Sequence, residues 1–189
     1  PVTPEAVLRL TAAAAHHDAR LAPATIDRLE RTELSIPEPW SDELRKLFVD
    51  VWRAGHRAIP VIETLDQLGL FVPFIPEWAP NRSRPQRNAY HRFTVDRHLW
   101  EAAAEAAAFV DEVDRPDLLL VGALLHDVGK GYPGDHTEVG MELIPGIASL
   151  TARTALPPHS DTHPRAGGSW NRRSKPSSSW PAPNHGASV

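Results

Sequence analysis

Apolar residues recur every three or four positions in a series of stretches before residue 150, which is the spacing of one buried helix face. The clearest stripe follows Ser41, a residue suited to cap a helix. Its members are Leu44, Leu47, Phe48, Val51 and Trp52. The pattern predicts helices over residues 3–17, 22–34, 58–68 and 94–113, one that follows Ser41, one from Pro116 to the His126-Asp127 pair, and a last one capped by Thr137.

Two segments interrupt this helical pattern. Residues 70–76 are apolar but broken by prolines, which predicts a packed connector rather than a strand. From residue 150 the chain is rich in serine, proline, arginine, histidine and tryptophan. Such a composition cannot bury enough apolar surface to offset the loss of chain entropy, so residues 150–189 are predicted to be disordered. The predicted fold class is therefore all-α, with a disordered C-terminal tail.

One apolar run ends abruptly in a polar cluster. Residues 118–125 read as a buried helix, and His126, Asp127 and Lys130 follow it directly. Polar groups at the end of a buried helix cost free energy unless something pairs with them. A metal ion together with an anionic substrate would supply that pairing.

His98, His126 and Asp127 are the candidate metal ligands, because imidazole and carboxylate groups from neighbouring helices can leave a coordination position open for water. Adjacent side chains on a regular helix diverge by about 100°. His126 and Asp127 can share a metal only if it lies between those two directions or if the helix ends there, and Gly129 favours such an end. A second pair, His17-Asp18, is interpreted as an ordinary helix terminus.

Further candidates surround this cluster. Lys130 is predicted to be catalytic and, because it lies beside the proposed metal, to contact a phosphate; a lysine on a surface loop is the alternative. Asp135 is a candidate for orienting a water, and His136 for a further metal contact; a helix cap with solvated charge is the alternative for both. Arg87 and Arg92 belong to an arginine-rich segment that is either a solvated loop or a loop that contacts the substrate phosphate.

The composition argues against several classes of function. The net charge of -4 argues against general binding of nucleic acid or of a membrane surface. No cysteine is present, which excludes disulfides and thiolate metal sites and fits a cytoplasmic protein. No apolar run approaches the roughly 18 residues of a membrane-spanning helix. The chain begins without methionine, so we expect it to be a piece of a longer protein.

Three blocks of sequence, taken in order, resemble one known family. They are residues 91–98 (HRFTVDRH), 124–131 (LLHDVGKG) and 134–140 (GDHTEVG). This order resembles the HD domain of the bifunctional protein-PII uridylyltransferase/uridylyl-removing enzymes. The three blocks together are much more specific than a histidine–aspartate pair alone, and the likeness covers roughly residues 40–149.

The resemblance implies an all-α HD-domain helical bundle that hydrolyses phosphoesters with a divalent metal, Mn²⁺ or Mg²⁺. His98, His126 and Asp127 match the family's metal-binding positions, and Lys130 would offset phosphate charge. The implied reaction removes UMP from the uridylylated signalling protein PII, which regulates nitrogen metabolism. The implied partners are therefore PII and the nucleotides UMP and UTP, with no nucleic acid and no membrane.

The resemblance also predicts a domain layout. Residues 1–69 would be a helical segment leading from a nucleotidyltransferase domain that this chain lacks. Residues 70–149 would be a partial HD domain, without the closing helices and last aspartate ligand of the family, and residues 150–189 the disordered tail. We expect this truncation to impair turnover. A non-catalytic module that binds nucleotide or PII, and an inactive frame-shifted product, are the alternatives.

Overall fold

The computed structural model describes residues 2–86 and 93–151, without the side chains of residues 148–151, and these ranges are helical with no strand. The α-helices are α1 (Pro4–His16), α2 (Pro23–Glu30), α3 (Asp42–Arg53), α4 (Ala58–Gln67), α5 (Val95–Ala106), α6 (Pro116–Leu125) and α7 (His136–Thr151). Short 3₁₀ helices span Gly55–Arg57, Pro76–Asn81, Ala107–Phe109 and Val128–Gly131. The all-α prediction is confirmed, while the predicted tail lies outside the described residues from position 152 onward.

Local sequence sets the start of two helices, and the cap at Ser41 is as predicted. The Thr3 hydroxyl accepts the backbone N–H of Ala6 at 3.2 Å, and α1 begins at Pro4, directly after Thr3. The Ser41 hydroxyl accepts the N–H of Leu44 at 3.1 Å at the start of α3. Each hydroxyl satisfies a backbone donor that has no partner inside its helix. In the described part of the chain, no helix is both long enough and apolar enough to cross a membrane.

Three predicted helix boundaries are wrong. The second helix ends at Glu30, not at residue 34. The alanine-rich helix α5 ends at Ala106, short of residue 113, because acidic residues follow and negative charge is unfavourable at a helix C-terminus. Helix α7 begins at His136 instead of after Thr137, because the Asp135 carboxylate takes the capping position.

The proline-broken connector packs as predicted, and together with the 3₁₀ helix Pro76–Asn81 it forms an aromatic cluster with α5. The rings of Trp78 and Trp100 stack with their centroids 6.0 Å apart. Phe71 lies edge-on to both rings, at 5.2 Å from Trp78 and 6.2 Å from Trp100. All three side chains are buried. Because Trp100 lies two residues after His98, this cluster anchors the helix that presents the first candidate ligand.

Helix α6 packs against α5 through apolar side chains. Leu99 and Ala103 of α5 are fully buried, as are Leu120 and Leu124 of α6. Burial of these side chains holds the two helices together by the hydrophobic effect. The polar residues that border this contact, His98 on α5 and the residues after α6, are thereby brought to one place.

The start of α6 carries an ion pair that makes stability depend on pH. Arg115 Nε and Nη2 donate to Asp117 Oδ1 and Oδ2 at 2.9 and 2.7 Å. These hydrogen bonds lower the pKa of Asp117 below its ordinary value of 3.8, although partial burial opposes them. Because the unfolded chain then binds this proton more readily, the stabilisation is fully present above pH 3.8 and is lost as the pH falls through the lower folded pKa.

Asp117→Asn is therefore expected to reduce the free energy of unfolding by about 1 kcal/mol near neutral pH. The cost should shrink progressively in acid below the ordinary pKa. Urea denaturation of both proteins at several pH values measures this difference. A cost that is the same at neutral pH and in strong acid would contradict the assignment.

Candidate metal centre

Three side chains from α5 and the end of α6 meet at one point. The Nε2 atoms of His98 and His126 lie 3.3 Å apart. Asp127 Oδ2 is 3.5 Å from His98 Nε2 and 3.2 Å from His126 Nε2. Among the described residues, these are the side chains whose possible ligand atoms cluster within 4.8 Å in a group of three or more. The two neighbouring helices therefore supply the imidazole and carboxylate groups that the sequence analysis assigned to a metal.

The end of α6 explains how two adjacent residues can face the same point. His126 still has helical backbone angles, at φ -54° and ψ -29°, and Asp127 leaves the helix at φ -122° and ψ 20°. The carboxylate therefore turns back toward the imidazole instead of diverging from it. His126 Nδ1 donates to the backbone oxygen of Ala123 at 2.8 Å. With Nδ1 as the donor of that bond, Nε2 is the ring atom that faces the cluster and would bind a metal.

Electrostatics favour the ligand forms of His98 and Asp127. Burial lowers the pKa of His98, and the nearby His126 and Lys130 lower it further. Burial by itself would raise the pKa of Asp127, but a hydrogen bond from Lys130 and the charges of Lys130 and the two histidines outweigh it, so the pKa is lowered. A neutral imidazole and an ionised carboxylate are the forms that bind a metal ion.

Lys130 and His136 lie beside the cluster. Lys130 Nζ is 2.6 Å from Asp127 Oδ2 and 3.4 Å from Gln86 Oε1. His136 Nε2 is 3.9 Å from the other carboxylate oxygen, Asp127 Oδ1, and its side chain is half exposed. The structure thus brings both predicted residues to the site, Lys130 in direct contact and His136 at its edge.

Asp135 has a different environment. Its Oδ1 accepts the backbone N–H groups of Thr137 and Glu138 at 2.9 and 3.2 Å, and these bonds lower its pKa. This is the helix cap that the sequence analysis weighed as the alternative, and the catalytic role of Asp135 stays a prediction. Arg87 and Arg92, the predicted phosphate contacts, lie outside the described residues.

The arginine-rich segment contributes contacts that the sequence analysis missed. Arg82 Nε donates to Asp66 Oδ2 at 2.9 Å, and the Arg84 guanidinium donates to the backbone oxygen of Gly131. Asn81, which is fully buried, donates from Nδ2 to the backbone oxygen of Val128 at 2.9 Å. Asn81 and Arg84 thus hold the turn after Asp127, whereas Arg82 pairs with Asp66 on α4. A run of arginines in sequence cannot distinguish such backbone contacts from binding of a phosphate.

Comparison with known proteins identifies this region. Residues 95–181 match the family model described as the HD domain. This part of the chain belongs to the HD-domain family. The match includes His98, His126 and Asp127, and it continues past residue 149, where the resemblance was expected to end. The predicted domain boundaries stay predictions.

The chain is also similar to part of much longer enzymes. It is 44% identical over 146 residues to the bifunctional uridylyltransferase/uridylyl-removing enzyme of Streptomyces coelicolor. The aligned stretch covers 77% of this chain and 18% of that protein. The enzyme of the same name from Mycobacterium tuberculosis is 43% identical over 141 residues, covering 75% of this chain and 18% of that protein. The chain thus spans about a fifth of the length of these relatives. These matches confirm the resemblance predicted from the three sequence blocks; no solved structure gave a significant match.

Proposed function

We propose that the HD domain of this chain is a metal-dependent phosphodiesterase that releases UMP from uridylylated PII. The observation that carries the proposal is the convergence of His98, His126 and Asp127 on one point with Lys130 beside it. The name of these relatives combines a uridylyl transfer and a uridylyl removal. A histidine–aspartate cluster suits the hydrolytic half of that pair.

The residues fit a divalent metal, with Mn²⁺ or Mg²⁺ as our proposal. Two imidazole nitrogens and one carboxylate oxygen lie within 4.8 Å of one another, which suits joint binding of one ion and leaves other coordination positions open. Such an ion supplies Lewis-acid polarisation of the phosphate and an acidified water. The lowered pKa values of His98 and Asp127 support this assignment. A lowered pKa favours the unprotonated form of each group, which is the form that binds a metal.

The chain's own residues would bind and orient the phosphodiester. The Lys130 ammonium is close enough to the cluster to offset the negative charge that a phosphate brings. Arg87 and Arg92 are proposed as further phosphate contacts, and His136 as a fourth group at the edge of the metal centre. The proposed setting is the cytoplasm, with PII, UMP and UTP as partners.

His126→Ala tests the proposal. The variant should release UMP from uridylylated PII with Mn²⁺ more than about 100-fold more slowly than the unaltered chain, because loss of groups that merely orient ligands already costs 10–100-fold. Quantifying released UMP by chromatography measures the rate. His17→Ala is the matched control, since His17 lies at the end of α1 in the second histidine–aspartate pair. Absence of UMP release, or equal rates for His126→Ala and the unaltered chain, would refute the proposed activity.

A second candidate is a non-catalytic module that binds nucleotide or PII. The observation that favours it is the ion pair of Lys130 with Asp127 Oδ2, which balances the carboxylate charge from within the chain. Titration calorimetry with Mn²⁺ and with UMP separates the two functions. Nucleotide binding without UMP release from uridylylated PII would favour the module.

A further inference from the structure

Arg84 joins the two halves of the candidate metal centre. Its backbone oxygen accepts the N–H of Val95 at 2.9 Å, and Val95 is the first residue of α5. Its guanidinium donates to the backbone oxygen of Gly131, the last residue of the 3₁₀ turn after Asp127. We infer that Arg84 is a positioning residue, which sets the distance from His98 on α5 to Asp127 and Lys130 beside the turn. This inference rests on the proposed metal centre.

The backbone that precedes Arg84 is fixed by hydrogen bonds. Ser83 has φ +52°, a left-handed conformation that non-glycine residues rarely adopt. The N–H of Ser83 donates to Asp96 Oδ2 at 2.6 Å, and Asp96 is only 5% exposed. Arg82 donates to the Asp66 carboxylate at 2.9 Å and to the Asp66 backbone oxygen at 2.7 Å. The backbone that leads into Arg84 is thus tied to α4 and to the first turn of α5.

The turn that Arg84 contacts is itself held at both ends. Asn81 donates to the backbone oxygen of Val128, the first residue of the turn, at 2.9 Å. A Cβ atom at Gly131 would lie 2.8 Å from Asn81 Oδ1, so the Asn81 side chain packs directly against that glycine. Asn81 therefore contacts the turn, whereas Arg84 contacts both the turn and α5. A displacement of Arg84 would change the separation of the two ligand-bearing elements.

The position of the guanidinium favours this role over binding of a substrate anion. One of its N–H groups donates to a backbone carbonyl, and that hydrogen bond would be lost if the whole side chain turned toward a phosphate. Residues that orient ligands without touching the metal typically contribute 10–100-fold to metal affinity. The expected effect of Arg84 is therefore on metal affinity and on the environment of the His98 ring.

Arg84→Met and Arg84→Lys test the inference in the full chain. Arg84→Met keeps an aliphatic stem without a donor, and it should weaken Mn²⁺ binding at least about tenfold by calorimetry. It should also shift the ring resonances of His98 in long-range proton–nitrogen correlation spectra recorded without metal. Arg84→Lys keeps a cationic donor and should recover most of the affinity. Arg115→Met is the matched control, because it removes an arginine ion pair at the opposite end of α6.

The ring resonances of His98 test the positioning role of Arg84 independently of the proposed function. If the unaltered chain binds no Mn²⁺, the proposed metal centre fails, but a His98 shift in Arg84→Met and its absence in Arg115→Met would still support positioning. A folded Arg84→Met variant with the His98 resonances of the unaltered chain would overturn the inference. If Arg84→Met fails to fold, Arg84→Gln, which keeps a neutral donor on a shorter stem, is compared in the same way.

Discussion

Asp127→Asn is expected to weaken Mn²⁺ binding strongly while leaving the helices intact. Asp127 Oδ2 is the atom that both histidine Nε2 atoms and Lys130 Nζ approach, at distances from 2.6 to 3.5 Å. An amide at this position has no negative charge, its nitrogen is a hydrogen-bond donor that cannot bind a metal, and only a neutral oxygen is left as a ligand atom. The loss of affinity should exceed about 100-fold, more than the loss of an orienting group costs. Titration calorimetry measures the affinity, and far-ultraviolet circular dichroism checks the fold.

The second histidine–aspartate pair provides the control for this prediction. Asp18 follows α1 with φ +50°, a conformation that asparagine adopts as readily as aspartate. Asp18→Asn therefore removes the same charge from an exposed position at no backbone cost. It should leave Mn²⁺ affinity unchanged. Equal Mn²⁺ affinities for Asp127→Asn and the unaltered chain would exclude Asp127 as a ligand.

Gly129→Ala is expected to reduce the free energy of unfolding by about 3 kcal/mol, at the upper end of what overpacking usually costs. A Cβ atom at Gly129 would lie 2.1 Å from the backbone oxygen of His136 and 2.8 Å from the backbone nitrogen of Gly140. Both neighbours are backbone atoms of α7, so no side chain can rotate away to make room. The turn and α7 must separate instead, which also moves His136 away from Asp127. Urea denaturation measures the loss.

Gly122→Ala is the matched control. Gly122 lies in α6, and a Cβ atom there would meet nothing within 4 Å. Alanine is favoured over glycine inside a helix by about 1 kcal/mol, so this variant should be more stable than the unaltered chain. The same substitution is thus expected to have opposite signs at positions seven residues apart in the sequence. A Gly129→Ala variant as stable as the unaltered chain would contradict the close packing of the turn on α7.

The presence of the main helices was predictable, because it depends on the spacing of apolar and capping residues that are close in sequence. The stripe after Ser41 and the caps at Thr3 and Ser41 involve residues within three or four positions of one another. The ends of helices were less predictable. Alanine propensity suggested that α5 continues to residue 113, but the acidic residues beyond Phe109 oppose a helix there. At α7, two polar residues could cap the helix, and only the hydrogen bonds from the backbone to the Asp135 carboxylate show that Asp135 does so.

The metal cluster could be predicted only in part. The apolar run before His126 identified the end of a buried helix, and the ordered sequence blocks suggested His98 as its partner. Neither observation contains the 3.3 Å distance between the two imidazoles, which depends on the packing of α5 against α6. The structure also places Lys130 on the Asp127 carboxylate, where a sequence pattern cannot choose between that contact and a surface loop.

Sequence alone determined the helical class, the main helices, the packed connector and the residue types that suit a metal centre, because each depends on neighbours along the chain. Tertiary structure alone decided that His98, His126 and Asp127 converge, and that Arg84 binds the backbone of Gly131. Arg84 and Gly131 are 47 positions apart. Contacts over such distances arise only when apolar burial brings α5, α6 and the connector together, and local propensity carries no information about them.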